Sequence, residues 1–296
     1  MVAFQLKRVI TSVCSFIDCD TGEFHSLYND SARDNVSLAS EALKVIKDSD
    51  DLLKTKLREE PEYKLAILLG DMVTTAPHES GQRFVSVAII LAHRHQALIV
   101  LALTWMKHFA LKLFSIFVTE EAEEDPSMAY KVRVRDGYYC VITSRFDIQE
   151  AVGINYPGEQ GIIEDELRAQ YFIPPPRTPL DQANFAYDTL WVWANLTEKD
   201  WERNADTTAN AFRLAAVHVE DYRMMKIYLE EDKESPNTYI ARWTGSGVFC
   251  TGDTSRKVVF RVMEKEYHAP PPDPTFVRVH AALAKLIQRS YSAQVI

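Results

Sequence analysis

Val134-Arg135-Asp136-Gly137-Tyr138-Tyr139-Cys140-Val141-Ile142-Thr143, continuing to Arg145-Phe146-Asp147, sets a single Asp-Gly pair among aromatic and β-branched residues. Strand-forming residues gather on both sides of Asp136-Gly137, over Tyr130 to Val134 and Tyr138 to Thr143. Asp-Gly supplies the positive φ angles that a tight hairpin turn requires, so the pattern predicts a β-hairpin.

Upstream, five carboxylates between Glu120 and Asp125, followed by Pro126, predict a solvated connection and place a domain boundary there. The 1–125 region reads as mainly helical. Leu38, Ala42, Val45, Ile46, Leu52 and Leu53 recur at helical spacing between Ser37 and Leu57. Tyr63 to Thr75, Ser80 to His93 and Gln96 to Phe117 also read as helices, punctuated by Pro61, Pro77 and Gly81. The very apolar stretch from Phe84 to Val118 is interrupted by His93, Arg94, His95, Lys107, His108 and Lys112. Buried helices, and no membrane span, are therefore expected. The first twenty residues meet acidic residues early and lack a small-residue cleavage site, so no secretion is expected.

Downstream, the 126–296 region predicts a variable loop over Gln149 to Asp165, an irregular run at Pro174-Pro175-Pro176, and short helices at Phe185–Ala194 and Thr197–Glu202. Strands are expected at Thr238–Trp243 and Lys257–Val262, an extended linker at Pro270–Pro274, and a closing helix over Phe276–Arg289. The fold class that follows is α+β.

The 33 Lys and Arg against 42 Asp and Glu give a net charge of -9, so any nucleic-acid contact needs a local basic patch. Cys14, Cys19, Cys140 and Cys250 form no CxxC pair and read as reduced thiols in an intracellular protein, nuclear or cytoplasmic. Cys140 reads as a small core residue, His93-Arg94-His95 as an exposed helix junction, and Trp191, Trp193 and Trp201 as core. His280 reads as a structural residue of the last helix.

The Arg135-Asp136-Gly137-Tyr138-Tyr139-Cys140-Val141-Ile142-Thr143 stretch resembles the opening of the fungal HNH endonuclease-like family, with Ser144 where that family carries glycine. Further marks follow in the family's order: Ile173-Pro174, then Asn210-Ala211-Phe212-Arg213-Leu214, then Tyr222 and Lys226-Ile227-Tyr228-Leu229-Glu230. Pro272-Asp273-Pro274 and Val279-His280-Ala281-Ala282-Leu283 complete a resemblance over roughly residues 130 to 290. The resemblance implies a ββα-metal module with a C-terminal strand and helix extension. In such a module a strand histidine polarises water, an asparagine orients that strand, and a helix histidine binds a divalent metal such as Mg, Mn or Zn.

Set on this chain, the resemblance puts Tyr171 at the general-base position, Asn210 at the orienting position and Val219 at the metal position, with His218 one residue earlier. Tyrosine, with an ordinary pKa near ~10, is a poor base at neutral pH. One residue turns a helix by about 100°, which separates His218 from the expected direction. Three functions stay open on these residues. The first is a catalytically impaired HNH-like protein that binds nucleic acid or a protein partner. The second is an active metal-dependent endonuclease using Asn210 and His218. The third is a helical interaction module built on the apolar 84–118 region.

Overall fold

The computed structural model describes residues 2–55, 64–119, 126–148, 164–175, 185–244, 247, 249, 252, 254–260 and 269–290. The acidic 120–125 connector, most of the 149–165 loop, Pro176, Cys250 and the end of the strand expected to reach Val262 lie outside them. Helices and small sheets mix along the chain, so the protein is α+β.

In chain order the first elements are helices α1 (Val2–Ile17), α2 (Thr21–Tyr28), α3 (Asn35–Asp48), α4 (Asp50–Thr55), α5 (Leu65–Thr74), α6 (Glu79–Arg94), α7 (Leu98–Trp105) and α8 (Leu111–Thr119). A π-helical turn, Met106–Ala110, joins α7 to α8. Helix α9 (Pro126–Arg135) precedes strands β1 (Phe146–Asp147), β2 (Glu164–Asp165) and β3 (Leu167–Tyr171). Helices α10 (Phe185–Ala194) and α11 (Glu198–Asn204) come next, then β4 (Ala211–Ala215) and α12 (Ala216–Arg223). Strands β5 (Ile227–Glu231), β6 (Thr238–Trp243) and β7 (Ser255–Val259) and helix α13 (Pro274–Ser290) complete the series.

Two compact units form. One holds residues 1–115, 176–199 and 285–296; the other holds 116–175 and 200–284. In the first, α3 and α5 pack on α6, and α1 and α6 pack on α10. Gly81 permits that last contact, because a Cβ there would fall 1.8 Å from the Trp193 carbonyl oxygen. The Trp193 indole N–H donates to the Met72 carbonyl at 2.9 Å. Arg83 ties the α2–α3 loop by donating to the carbonyls of Tyr28, Arg33 and Asp30 and to the Asn35 side chain. Leu98–Thr119 runs as 22 helical residues, long and apolar enough to cross a bilayer by length and composition. Of its most apolar window 44% is buried, and core helices of soluble proteins pass the same test.

In the second unit the predicted hairpin is replaced. Residues 126–135 form α9, and Asp136-Gly137 ends that helix instead of turning two strands. Gly137 has φ 67°, its N–H donates to the Val134 carbonyl, and the Tyr138 N–H reaches back to the Arg133 carbonyl at 3.0 Å. This is a Schellman stop, which needs a left-handed residue just as a tight hairpin turn does. Helix wins over strand here because Met128 and Val132, four residues apart, bury one stripe against Ala169 and Ala211.

Strands β3 and β4 pair antiparallel from Leu167↔Ala215 to Tyr171↔Ala211, and α12 follows β4 without a connecting residue. A second antiparallel sheet runs β5-β6-β7.

Candidate functional site

The β3–β4 ribbon lies between two helices. Ala169, Tyr171 and Ala211 share the face that packs on α9. Phe212 and Gln170 share the opposite face, where Phe212 meets Tyr222 of α12 at 5.1 Å between ring centroids, edge to face. Strand alternation thus sends each register pair to one helix or the other.

Asn210 sits at the mouth of the ribbon and is fully buried. Its Oδ1 accepts the Ile173 N–H at 3.0 Å, while its Nδ2 donates to the Ile173 carbonyl at 2.7 Å and to the Ala205 carbonyl at 2.9 Å. The Asn210 carbonyl accepts the Phe172 N–H at 2.8 Å. The amide thereby acts as one more rung of the ladder and fixes the chain that leaves β3 just past Tyr171.

Tyr171 is half-buried, its ring packed on Met128, Val132, Ala169 and Ala211. Its carbonyl accepts the Tyr222 hydroxyl at 3.0 Å. Val219 is buried on α12. His218, also buried, faces the Trp243 and Phe249 rings at 5.7 and 5.8 Å, edge to face. Asn210 and Tyr171 therefore belong to one end of the ribbon, whereas the His218 ring lies in an aromatic box formed with β6 and Phe249. Among the described residues no three His, Cys, Asp or Glu side chains gather closely enough to hold a metal ion.

Two features at this ribbon escape sequence reasoning. On the α9 face, Arg213 donates to the Asp147 carboxylate at 2.6 Å, and both side chains are buried. Arg135, equally buried, binds both carboxylate oxygens of Asp136 and donates to the Thr208 and Ala211 carbonyls. Asp136 in turn accepts the Arg213 backbone N–H at 3.0 Å, joining the two pairs into one network. The motif Arg135-Asp136 is thus the keystone of a buried polar layer. A cleft of about 430 Å³ opens beside it, lined by Tyr139, Ser144, Lys257 and Phe260 among others.

On the α12 face, the fully buried His280 ring stacks on Tyr222 at 4.4 Å, meets Phe172 edge-on and lies tilted against Phe117. Among the described residues neither ring nitrogen has a hydrogen-bond partner. Burial pushes its pKa down to about 3, so the ring is neutral at ordinary pH. Burial likewise pushes the Tyr222 hydroxyl well above its usual value.

Cys140 is buried within the turn after α9. Its sulfur accepts the Thr143 and Ala215 N–H groups, each at 3.3 Å, and burial raises its thiol pKa against those bonds. It joins the turn to β4 as a structural residue.

Comparison with known protein families, curated proteins and solved structures gives no match to this chain.

Proposed function

We propose that the β3–β4–α12 unit is an HNH-type ββα scaffold with an impaired hydrolytic site, kept for binding nucleic acid or a protein partner. The observation that carries this reading is Asn210. It clasps both backbone groups of Ile173 immediately after the strand whose end, Tyr171, stands where the family carries its water-polarising histidine. An asparagine that orients the end of a strand is useful to a hydrolase only if that strand presents a base. Here the position carries a phenol packed on α9, and the helix position for the metal ligand is the buried Val219. The neighbouring His218 is enclosed by Trp243 and Phe249, which supply no electron pairs to a hard divalent cation. The orienting device is present and the groups it would serve are replaced.

The test asks whether the replaced groups leave any hydrolytic site. Tyr171 packs toward α9 while Val219 belongs to α12 on the opposite face of the ribbon, so wild type is expected to bind neither Zn²⁺ nor Mn²⁺ in titration calorimetry. Saturable binding of either ion at one site would overturn the reading. Wild type is expected to leave supercoiled plasmid intact in Mg²⁺, Mn²⁺, Ni²⁺ and Zn²⁺. Nicking that disappears in Asn210→Ala with His218→Ala would instead establish an active endonuclease built on those two residues.

A further inference from the structure

The two cysteines nearest the N-terminus, five residues apart, are brought together by the end of α1. Asp18 adopts φ 54°, and the Cys19 N–H donates back to the Cys14 carbonyl at 3.1 Å. That six-to-one bond is the mark of a Schellman stop, in which the flanking first and sixth residues turn their side chains toward each other. The same motif ends α12. There Lys226 N–H donates to the Asp221 carbonyl at 2.8 Å, and the two side chains meet at 3.2 Å. At the end of α1 the facing pair is two thiols, and the Cys14 thiol donates to the Asp20 carbonyl at 3.9 Å. Cys14 is buried, whereas Cys19 is partly open to solvent. Both are free thiols, and Asp18, Asp20 and Glu23 lie around Cys19, Glu23 being shared with Arg94 at 3.6 Å and His95 at 2.9 Å so that Asp18 and Asp20 supply most of the local negative charge.

We infer that Cys14 and Cys19 form a reversible dithiol–disulfide site at the end of α1, oxidised by small-molecule disulfides and favouring cationic disulfides over anionic ones. Cys19, the accessible thiol, loses its proton and attacks one sulfur of the small disulfide, releasing the first thiol product and leaving a mixed disulfide. Cys14 then gives its proton to solvent and attacks the Cys19 sulfur, releasing the second thiol product. The protein loses two electrons and two protons, and the small disulfide gains them as two thiols. Burial and the neighbouring carboxylates raise both thiol pKa values, so both attacks are slow at neutral pH and quicken as pH rises. The carboxylates draw in a cationic disulfide and repel an anionic one. Closing the bond fastens the last turn of α1 to Asp20, whose carboxylate caps α2.

The experiment treats the reduced full-length chain with cystamine, which is cationic, or with oxidised glutathione, which is anionic. Both cysteines fall on the tryptic peptide 9–33, bounded by Arg8 and Arg33. The expected product is that peptide lighter by two hydrogen atoms and resistant to alkylation, formed about tenfold faster with cystamine at low salt. Cys19→Ser is expected to abolish it, and Cys14→Ser to stop at a mixed disulfide on Cys19. Wild-type peptide that stays alkylatable, or that keeps an unresolved mixed disulfide, would overturn the site. Equal rates with the two reagents would overturn the charge preference.

Discussion

The two faces of the β3–β4 ribbon bury opposite kinds of surface. Toward α9 lie two arginines and two aspartates joined by hydrogen bonds, with every carboxylate matched to a guanidinium. Toward α12 lie Phe172, Phe212, Tyr222 and His280, packed ring on ring, stacked or edge to face. The polar layer ties strands that are far apart in sequence, since Asp147 of β1 and Arg213 of β4 are separated by 66 residues. The aromatic layer fills the side on which α12 packs. Directional bonds thus secure one face and ring packing the other.

Breaking the polar face should cost most. A buried charge that loses its partner remains uncompensated in a low dielectric, so Arg213→Met or Asp147→Asn alone is expected to destabilise the protein by about 3–5 kcal/mol. The double variant Arg213→Met with Asp147→Leu should recover part of that loss, because the two fully buried charges go together while Arg133, which also pairs with Asp147 at 3.5 Å, keeps access to solvent. Urea denaturation of the three variants checks this. Single-variant losses below about 1 kcal/mol would mean that the network is not what secures that face.

The junction between the faces is next. Asn210→Ala removes three hydrogen bonds and strands both backbone groups of the buried Ile173, for an expected loss of about 3 kcal/mol. Asn210→Asp keeps the acceptor but turns an oxygen toward the Ile173 carbonyl, and should be no better. If Asp were tolerated like wild type, the amide would not be acting as a ladder rung.

Much of this was legible from residue patterns, and the exceptions have physical causes. Phe185–Ala194 and Thr238–Trp243 are a helix and a strand over the expected residues, because segments dominated by apolar and aromatic residues and bounded by turn formers leave few alternatives. Asp136-Gly137 misleads because a left-handed glycine serves both a hairpin and a helix stop, and only the packing of Met128 and Val132 decides. Asn210 could be singled out through its resemblance context, but nothing local announces that Arg213, between Phe212 and Leu214, is 1% exposed. By strand alternation it reads as a solvent-facing residue. Its partner lies on a different segment, and a pairing over that distance leaves no local trace. The meeting of Cys14 and Cys19 is likewise invisible without the Asp18 turn.

The aromatic face offers the smallest effect at neutral pH and the most informative one in acid. His280 buries two ring nitrogens without partners, so His280→Phe, which keeps an aromatic ring on Tyr222, is expected to stabilise the fold by about 1 kcal/mol at pH 7.5. In the folded chain its pKa lies near 3, against an ordinary value of 6.5, so the unfolded chain binds the extra proton between those limits. Stability from this group is therefore complete above 6.5 and falls as pH drops toward 3, by about 1.4 kcal/mol per unit once well inside that window. Asp71 works in the opposite direction. Burial raises its carboxyl to about 6 although Arg289 stands 2.9 Å away, so its unfavourable contribution grows as pH rises from 3.8 to 6. Only the difference between variant and wild type isolates His280. That difference, measured by urea denaturation at pH 7.5 and pH 5, should widen by about 2 kcal/mol in acid. A constant difference would mean that the His280 ring finds a proton acceptor in the folded protein, and the aromatic face would then retain a polar function after all.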